Sequence, residues 1–342
     1  MEKRFEEFLN QVRQAVEEER IPGAVVSIGR GDEIYALEAY GHAIITPVKE
    51  PMTTDTLFDV ASLSKLTGVW ASIVRLLADG RLALDMCLPE AVGRKVHKDL
   101  EKITVWNLLT HTAGLVPFMD TDHFGETREE RVNGLLNTAP VAPAGKEVVY
   151  SDLSFIFLGE IIANITGKPL EEAAAEVWRA LGMKDTCFNP APEAYCAATE
   201  IRVGETLPVR GSVHDERACQ LGGVAGHAGV FSTALDLSRF CAALLPPTPS
   251  SLFDPEWVKK SFENQTRHLD SDRGLGWIAY HERPDGNIVG HTGFTGTSLW
   301  LDSKTGLYVV LLTNRVHPSR ENYEISAIRT LGFETIFEVP YL

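Results

Sequence analysis

The run Leu307–Thr313, LYVVLLT, constrains this chain more than any other segment: it is nearly all apolar and β-prone, and reads as a strand buried on both faces at the centre of a sheet. The neighbours such a strand needs are found at both ends of the sequence. Ala24–Ile28 and Ile34–Tyr40 are strand-like, and Gly29-Arg30-Gly31-Asp32 between them supplies turn glycines for a hairpin. Asn287–His291 and Thr297–Leu301 lead through Asp302-Ser303-Lys304-Thr305-Gly306 into the buried run. The middle of the chain is patterned differently. Ser62–Ala78 carries a helical stripe of Leu66, Val69, Trp70, Ile73 and Leu77, and Val105–Leu109, Asp152–Ile165 and Leu170–Leu181 also read as helices. A final helix is expected from near Glu321. The expected fold is therefore α/β (α+β): an antiparallel sheet built from both chain termini and flanked by helices, with an inserted mostly helical domain. The expected boundaries are 1–75 plus 262–342 for the sheet domain and 76–261 for the insert.

Charge narrows the function classes. Among 342 residues, 32 Lys and Arg stand against 47 Asp and Glu, a formal charge of −15, and no basic run interrupts the acidity. Nucleic acid and anionic membrane surfaces are poor partners for such a chain. No stretch approaches the roughly 18 apolar residues a membrane span requires. The first twenty residues are charged throughout, and Phe5, Leu9, Val12 and Val16 fall at helical spacing, so they read as an amphipathic helix rather than a leader and point to a cytoplasmic protein. Five scattered cysteines, with no CxxC, read as reduced thiols.

Three short motifs can carry chemistry. Ser62-Leu63-Ser64-Lys65 places a serine in the first turn of a helix with a lysine on the same face, where a neighbouring amine can activate the hydroxyl and the helix start favours an oxyanion. The same four residues also fit a capping serine and a solvated lysine. Tyr150-Ser151-Asp152 opens another helix; its phenol and carboxylate are a pair able to relay a proton, although Asp152 also fits an N-cap. His291-Thr292-Gly293 ends a strand and runs into Phe294-Thr295-Gly296-Thr297, where glycines let a substrate lie along a sheet edge.

The three motifs occur in the order of S-x-x-K, S-D-N and K-T-G, separated by 88 and 141 residues, and so the chain resembles the serine β-lactamase-like superfamily, in its branch of class C β-lactamases, penicillin-binding proteins and family VIII-type esterases. The segments PMTTDTLFDVASLSKL, ITVWNLLTHTAGL and LGGVAGHAGVFSTALDLSRF and the stretch Gly290–Pro318 extend the resemblance over nearly the whole chain, with a β-lactamase/transpeptidase-like fold. It implies Ser62 as the acylated nucleophile, Lys65 as its proton partner, Tyr150 as general base and acid, and Asp152 as the group orienting Lys65. It also implies that His291 stands where the family has lysine, and that the backbone N–H groups of Ser62 and Phe294 form the oxyanion hole. Thr292 and Gly293 would meet the substrate. No cofactor and no metal are implied. The literal Lys304-Thr305-Gly306 reads as a tight turn between strands, not as the third motif.

Asp152 in place of asparagine adds negative charge beside Lys65, and His291 in place of lysine removes a permanent cation; both departures favour esterase or amidase members over efficient β-lactamases. Of the remaining candidates, His227 in Gly222–Gly229 reads equally as a substrate contact or as loop packing, and Asn314, Arg315 and Arg320 equally as an anion site or as surface charge after the last strand. His111 is expected to hold a loop, and His214-Asp215-Glu216 to form a solvated one. The expected function is a serine hydrolase acting through an acyl-enzyme on small ester, amide or β-lactam substrates, carboxylesterase-like and weakly active on β-lactams. A muropeptide amidase or D-Ala-D-Ala carboxypeptidase is the alternative within the family, and a non-catalytic penicillin-binding sensor the alternative outside catalysis. Nothing in the sequence fixes the oligomeric state.

Overall fold

A computed structural model describes residues 2–247 and 249–341, and among these the strands are β1 (Gly23–Arg30), β2 (Glu33–Ile44), β3 (Glu50–Pro51), β4 (Phe58–Asp59), β5 (Cys187–Phe188), β6 (Val230–Ser232), β7 (Ile278–His281), β8 (Ile288–Thr292), β9 (Ser298–Asp302) and β10 (Leu307–Thr313). Seven of them form one antiparallel sheet in the order β3-β2-β1-β10-β9-β8-β7. The apolar run of β10 is its central strand, with every residue buried. It pairs with β1 from Ala24↔Thr313 to Arg30↔Leu307, and with β9 from Tyr308↔Leu301 to Leu311↔Ser298. β4, β6 and β5 make a second, three-stranded sheet.

Each face of the large sheet buries its own helices. Alternate residues Ala24, Val26 and Ile28 of β1 meet the helices at the two ends of the chain, α1 (Lys3–Glu17) and a last helix at Ile325–Phe337. The opposite residues, Val25, Val310 and Leu312, pack with Leu237, Phe240 and Cys241 of the helix Ala234–Ala243. That covering helix thus comes from a stretch the sequence reading assigns to the insert. A third core, from Val69 to Leu275, fills the helical middle around Asp152–Thr166. Among the described residues no single helix is long and apolar enough to cross a membrane.

Two expectations need correction. The segment Ser62–Ala78 is not one α-helix: a 3₁₀ turn at Ala61–Leu63 leads into a π-helical run, Lys65–Trp70, before α2 (Ala71–Ala78). Hydroxyls intrude on the helical ladder here, Thr67 donating to the Leu63 carbonyl at 3.1 Å and Ser72 to that of Gly68 at 3.4 Å, which suits a locally widened helix. The last helix starts at Ile325, not near Glu321, because the carbonyls of Arg320 and Asn322 are taken by the Arg315 guanidinium at 2.9 and 2.7 Å.

Candidate active site

Backbone strain marks the point where β4 turns into the π-helical segment. Ala61 takes φ +47°, an uncommon conformation for a residue with a side chain, and Ser62 follows it half-buried at the seam between the sheet and the helical middle. Ser62 Oγ accepts two hydrogen bonds, from Lys65 Nζ at 3.0 Å and from the Tyr150 hydroxyl at 2.9 Å. Lys65 is fully buried, and its ammonium also donates to Asp152 Oδ1 at 2.8 Å and to the His227 carbonyl at 3.2 Å. Burial pushes the Lys65 amine down, but the Asp152 carboxylate and Tyr150 outweigh it and hold the amine above the ordinary lysine value. Lys65 at rest is therefore a cation and has no lone pair to act as a base. Asp152 is no N-cap; Ser151 holds that position, and the carboxylate reaches Lys65 instead.

Two cations flank the Tyr150 ring, Lys65 Nζ at 4.8 Å and the Arg273 guanidinium at 5.3 Å from its centroid. His111 supports the same turn: Ser151 N–H donates to its Nδ1 at 3.1 Å, and its ring lies 4.6 Å from that of Tyr150.

His291 sits on β8 with its ring 5.9 Å from Tyr150, and its Nδ1 donates to the Thr292 carbonyl at 2.8 Å, leaving Nε2 without a partner. Burial, with Arg273 and Lys65 nearby, lowers its pKa to about 3. It is thus a neutral imidazole and supplies no positive charge. The positive charge comes from Arg273, which sequence reasoning missed. A single arginine in a polar loop, SDRGLGW, carries no periodic signal; only the approach of β7 brings it beside Tyr150.

The turn after β8 is clamped from two sides. Thr295 and Thr297 hydroxyls donate to the carbonyls of Asp59 and Val60, at 2.7 and 2.9 Å, tying the turn to the residues just before Ser62. Arg329 from the last helix holds the Gly293 carbonyl at 2.7 Å, and Arg315 holds that of Phe294 at 2.8 and 2.6 Å. In a trans peptide the C=O and N–H point opposite ways, so drawing the Gly293 carbonyl toward Arg329 turns the Phe294 N–H away from it. Gly293 is required by this close approach: a Cβ there would stand 2.5 Å from the Val60 carbonyl oxygen.

Two cavities of about 360 Å³ meet at Ser62. One is lined by Tyr150, Arg273, His291, Thr292, Gly293 and Arg329, the other by Asp152, His214, Asp215, Glu216, His227 and Arg320. Phe294, half-exposed, borders both. A larger cavity of about 520 Å³, beside Phe253 and Arg283, shares no residue with either and has no part in this site.

His214-Asp215-Glu216 is not a solvated loop. His214 is buried, stacks on Phe294 at 5.6 Å and meets Glu200 at 3.1 Å, while Asp215 accepts from His227 Nε2 at 2.9 Å. Ligand-type atoms of Asp152, Asp215 and His227 lie within 4.8 Å of one another, but the cation beside Asp152 is the chain's own Lys65. Asn314 is not brought to the site: it is buried, and its amide donates to the carbonyls of His42 and Ala43. Arg320 reaches the rim, with its guanidinium engaged by Glu200 and Glu216. Lys304-Thr305-Gly306 lies in the β9–β10 turn, where Lys304 pairs with Asp285.

The Beta-lactamase family model matches residues 8–332. An N-acetylmuramyl-L-alanine amidase of Bacillus subtilis (strain 168) is 29% identical over 90% of this chain and 81% of its own length. A putative D-alanyl-D-alanine carboxypeptidase of Escherichia coli O157:H7 is 28% identical over 86% and 79%. Among solved structures EstCE1, described as a hydrolase with promiscuous acyltransferase activity, superposes with a TM-score of 0.76 at 22% identity, covering 95% of this chain and 98% of that one.

Proposed function

We propose, because this chain belongs to the beta-lactamase family, that it is a serine hydrolase forming a covalent acyl-enzyme on Ser62. The observation that carries the reading is the convergence of Lys65 Nζ and the Tyr150 hydroxyl on Ser62 Oγ, with Asp152 fixing the lysine. As Ser62 Oγ attacks the carbonyl, the Tyr150 hydroxyl takes the Oγ proton and hands its own phenolic proton to the leaving group, so that it ends the step a neutral phenol, with Lys65 and Arg273 beside its ring. The carbonyl oxygen becomes an oxyanion held by the N–H groups of Ser62 and Phe294. Water then attacks the acyl carbonyl, giving a proton to the Tyr150 oxygen as the phenolic proton returns to Ser62 Oγ, which leaves as the free hydroxyl. The reading places the site between the expected sheet domain, which supplies Ser62, Lys65 and His291, and the helical insert, which supplies Tyr150, Asp152 and His227.

The charges around the first cavity order the substrate classes. Among the described residues, Arg273 Nη1 and Arg329 Nε are buried without partners there and no carboxylate lines that cavity. An anionic group on the substrate satisfies both, so amides and peptides ending in a carboxylate come before simple esters. The amidase and carboxypeptidase names of the relatives are consistent with that order. Intact-protein mass spectrometry after mixing with an activated ester or a penicillin tests the reading. The wild type should gain one acyl mass, mapped to Ser62, and Ser62→Ala none; acylation elsewhere would defeat the assignment.

A further inference from the structure

The two cavities that meet at Ser62 differ in the sign of their charge. The first holds Arg273, Arg315 and Arg329. The second holds Asp152, Asp215 and Glu216, and its two arginines are already paired, Arg217 with Asp120 at 3.2 Å and Arg320 with Glu200 and Glu216 at 2.6 Å. Asp152 faces the Lys65 ammonium. Asp215 is thus the carboxylate of this cavity that, among the described residues, pairs with no lysine or arginine of the chain. One of its oxygens accepts from His227 Nε2 at 2.9 Å and from the Ala218 N–H at 2.8 Å, and among the described residues the other accepts from no group of the chain. A carboxylate offers about four acceptor positions. Burial pushes Asp215 up, but the hydrogen bonds from His227 and from the Ala218 N–H, with the Arg217 guanidinium nearby, outweigh it and keep the group well below the usual carboxylate range, so it is ionised at neutral pH. His227, 1% exposed, lines the same cavity with Nδ1 unpartnered, a second polar group there that the chain leaves unsatisfied.

We propose that the second cavity binds the cationic end of the substrate, so that this enzyme prefers short zwitterions with an ammonium group on the Asp215 side of the scissile carbonyl and a carboxylate on the Arg273 side. The inference rests on the acyl-enzyme reading above and adds the substrate class. A desolvated ammonium donates to the free Asp215 oxygen, a neutral acyl group leaves that oxygen to water, and an anionic one is repelled by Asp152, Asp215 and Glu216 together.

The test uses five D-alanyl-D-alanine compounds: the free dipeptide, its N-acetyl form, its N-succinyl form, its C-terminal amide, and the doubly blocked form. For compounds that are not cleaved, the inhibition constant against p-nitrophenyl acetate hydrolysis gives the same ratio. The free amine should be favoured over N-acetyl by about tenfold or more in kcat/KM or in inhibition. Asp215→Asn, which retains an acceptor for the Ala218 N–H, should bring that ratio toward one, and Asp215→Lys should reverse it in favour of an N-succinyl compound. N-acetyl compounds handled as well as the free amine by the wild type would overturn the proposal, as would an unchanged ratio in an Asp215→Asn protein that melts like wild type. Loss of the underlying reading shows separately, as p-nitrophenyl acetate turnover that persists in Ser62→Ala.

Discussion

At the scale of single residues, the resting site has two donors on one serine oxygen and a lysine fixed as a cation. This arrangement gives Tyr150 the proton-transfer role. Tyr150→Phe keeps the ring between Lys65 and Arg273 and deletes only the hydroxyl, so kcat should fall by about 10²–10⁴ with little change in melting temperature. A Phe variant that retains wild-type kcat would transfer the base role elsewhere. Ser62, Lys65, Tyr150 and Asp152 were legible in the sequence because their motifs are local: three residues along a helix start, or the opening of the next helix, define them. Arg273 was not, because its meaning arises only where a loop meets Tyr150. Asn314 misled for the converse reason. Its place after the central strand suggested the rim, but the carbonyls of β2 draw its amide into the interior.

At the scale of elements, the decisive piece is the turn between β8 and β9. It is held by two threonine hydroxyls from within and by arginines from β10's end and the last helix from without. A methyl group at Gly293 would stand 2.1 Å from Thr297 Oγ1, so the turn must shift to admit it. Gly293→Ala should therefore displace the Phe294 N–H and lower kcat by about 10²–10³, the effect of losing one oxyanion donor. A kcat within a few-fold of wild type would show that this N–H does not serve the oxyanion. The sequence showed both strands and the glycines of this turn. It concealed the arginine clamp, since Arg315 and Arg329 stand apart along the chain until the sheet and last helix bring them to neighbouring carbonyls of the turn, Phe294 for Arg315 and Gly293 for Arg329. The late start of that helix has the same cause.

At the scale of the whole molecule, a sheet assembled from both chain ends seats Ser62 at the edge of the helical middle, and much of this was written in hydrophobic pattern: β10, its partners β1 and β9, and the amphipathic first helix. Pattern alone did not reveal the covering helix Ala234–Ala243 as a partner of the sheet, because an apolar stripe does not name the face it meets. Assembly also buries His291 as a neutral group near pKa 3, against about 6.5 in an unfolded chain. Below pH 6.5 the unfolded state then binds more protons, so this histidine's contribution to stability is lost as pH falls, by up to about 1.4 kcal/mol per pH unit. Between pH 6.5 and 5.0, urea unfolding of wild type should lose about 2 kcal/mol more than that of His291→Gln; parallel losses would mean that His291 is protonated in the fold. The central claim is that Ser62 acylates and turns over. The most direct measurement is the time course of p-nitrophenyl butyrate hydrolysis by wild type and Ser62→Ala at known enzyme concentration. The account predicts many equivalents of nitrophenol per wild-type molecule and none above background from the variant. Equal release by both proteins, or a wild-type burst of one equivalent followed by silence, would contradict it.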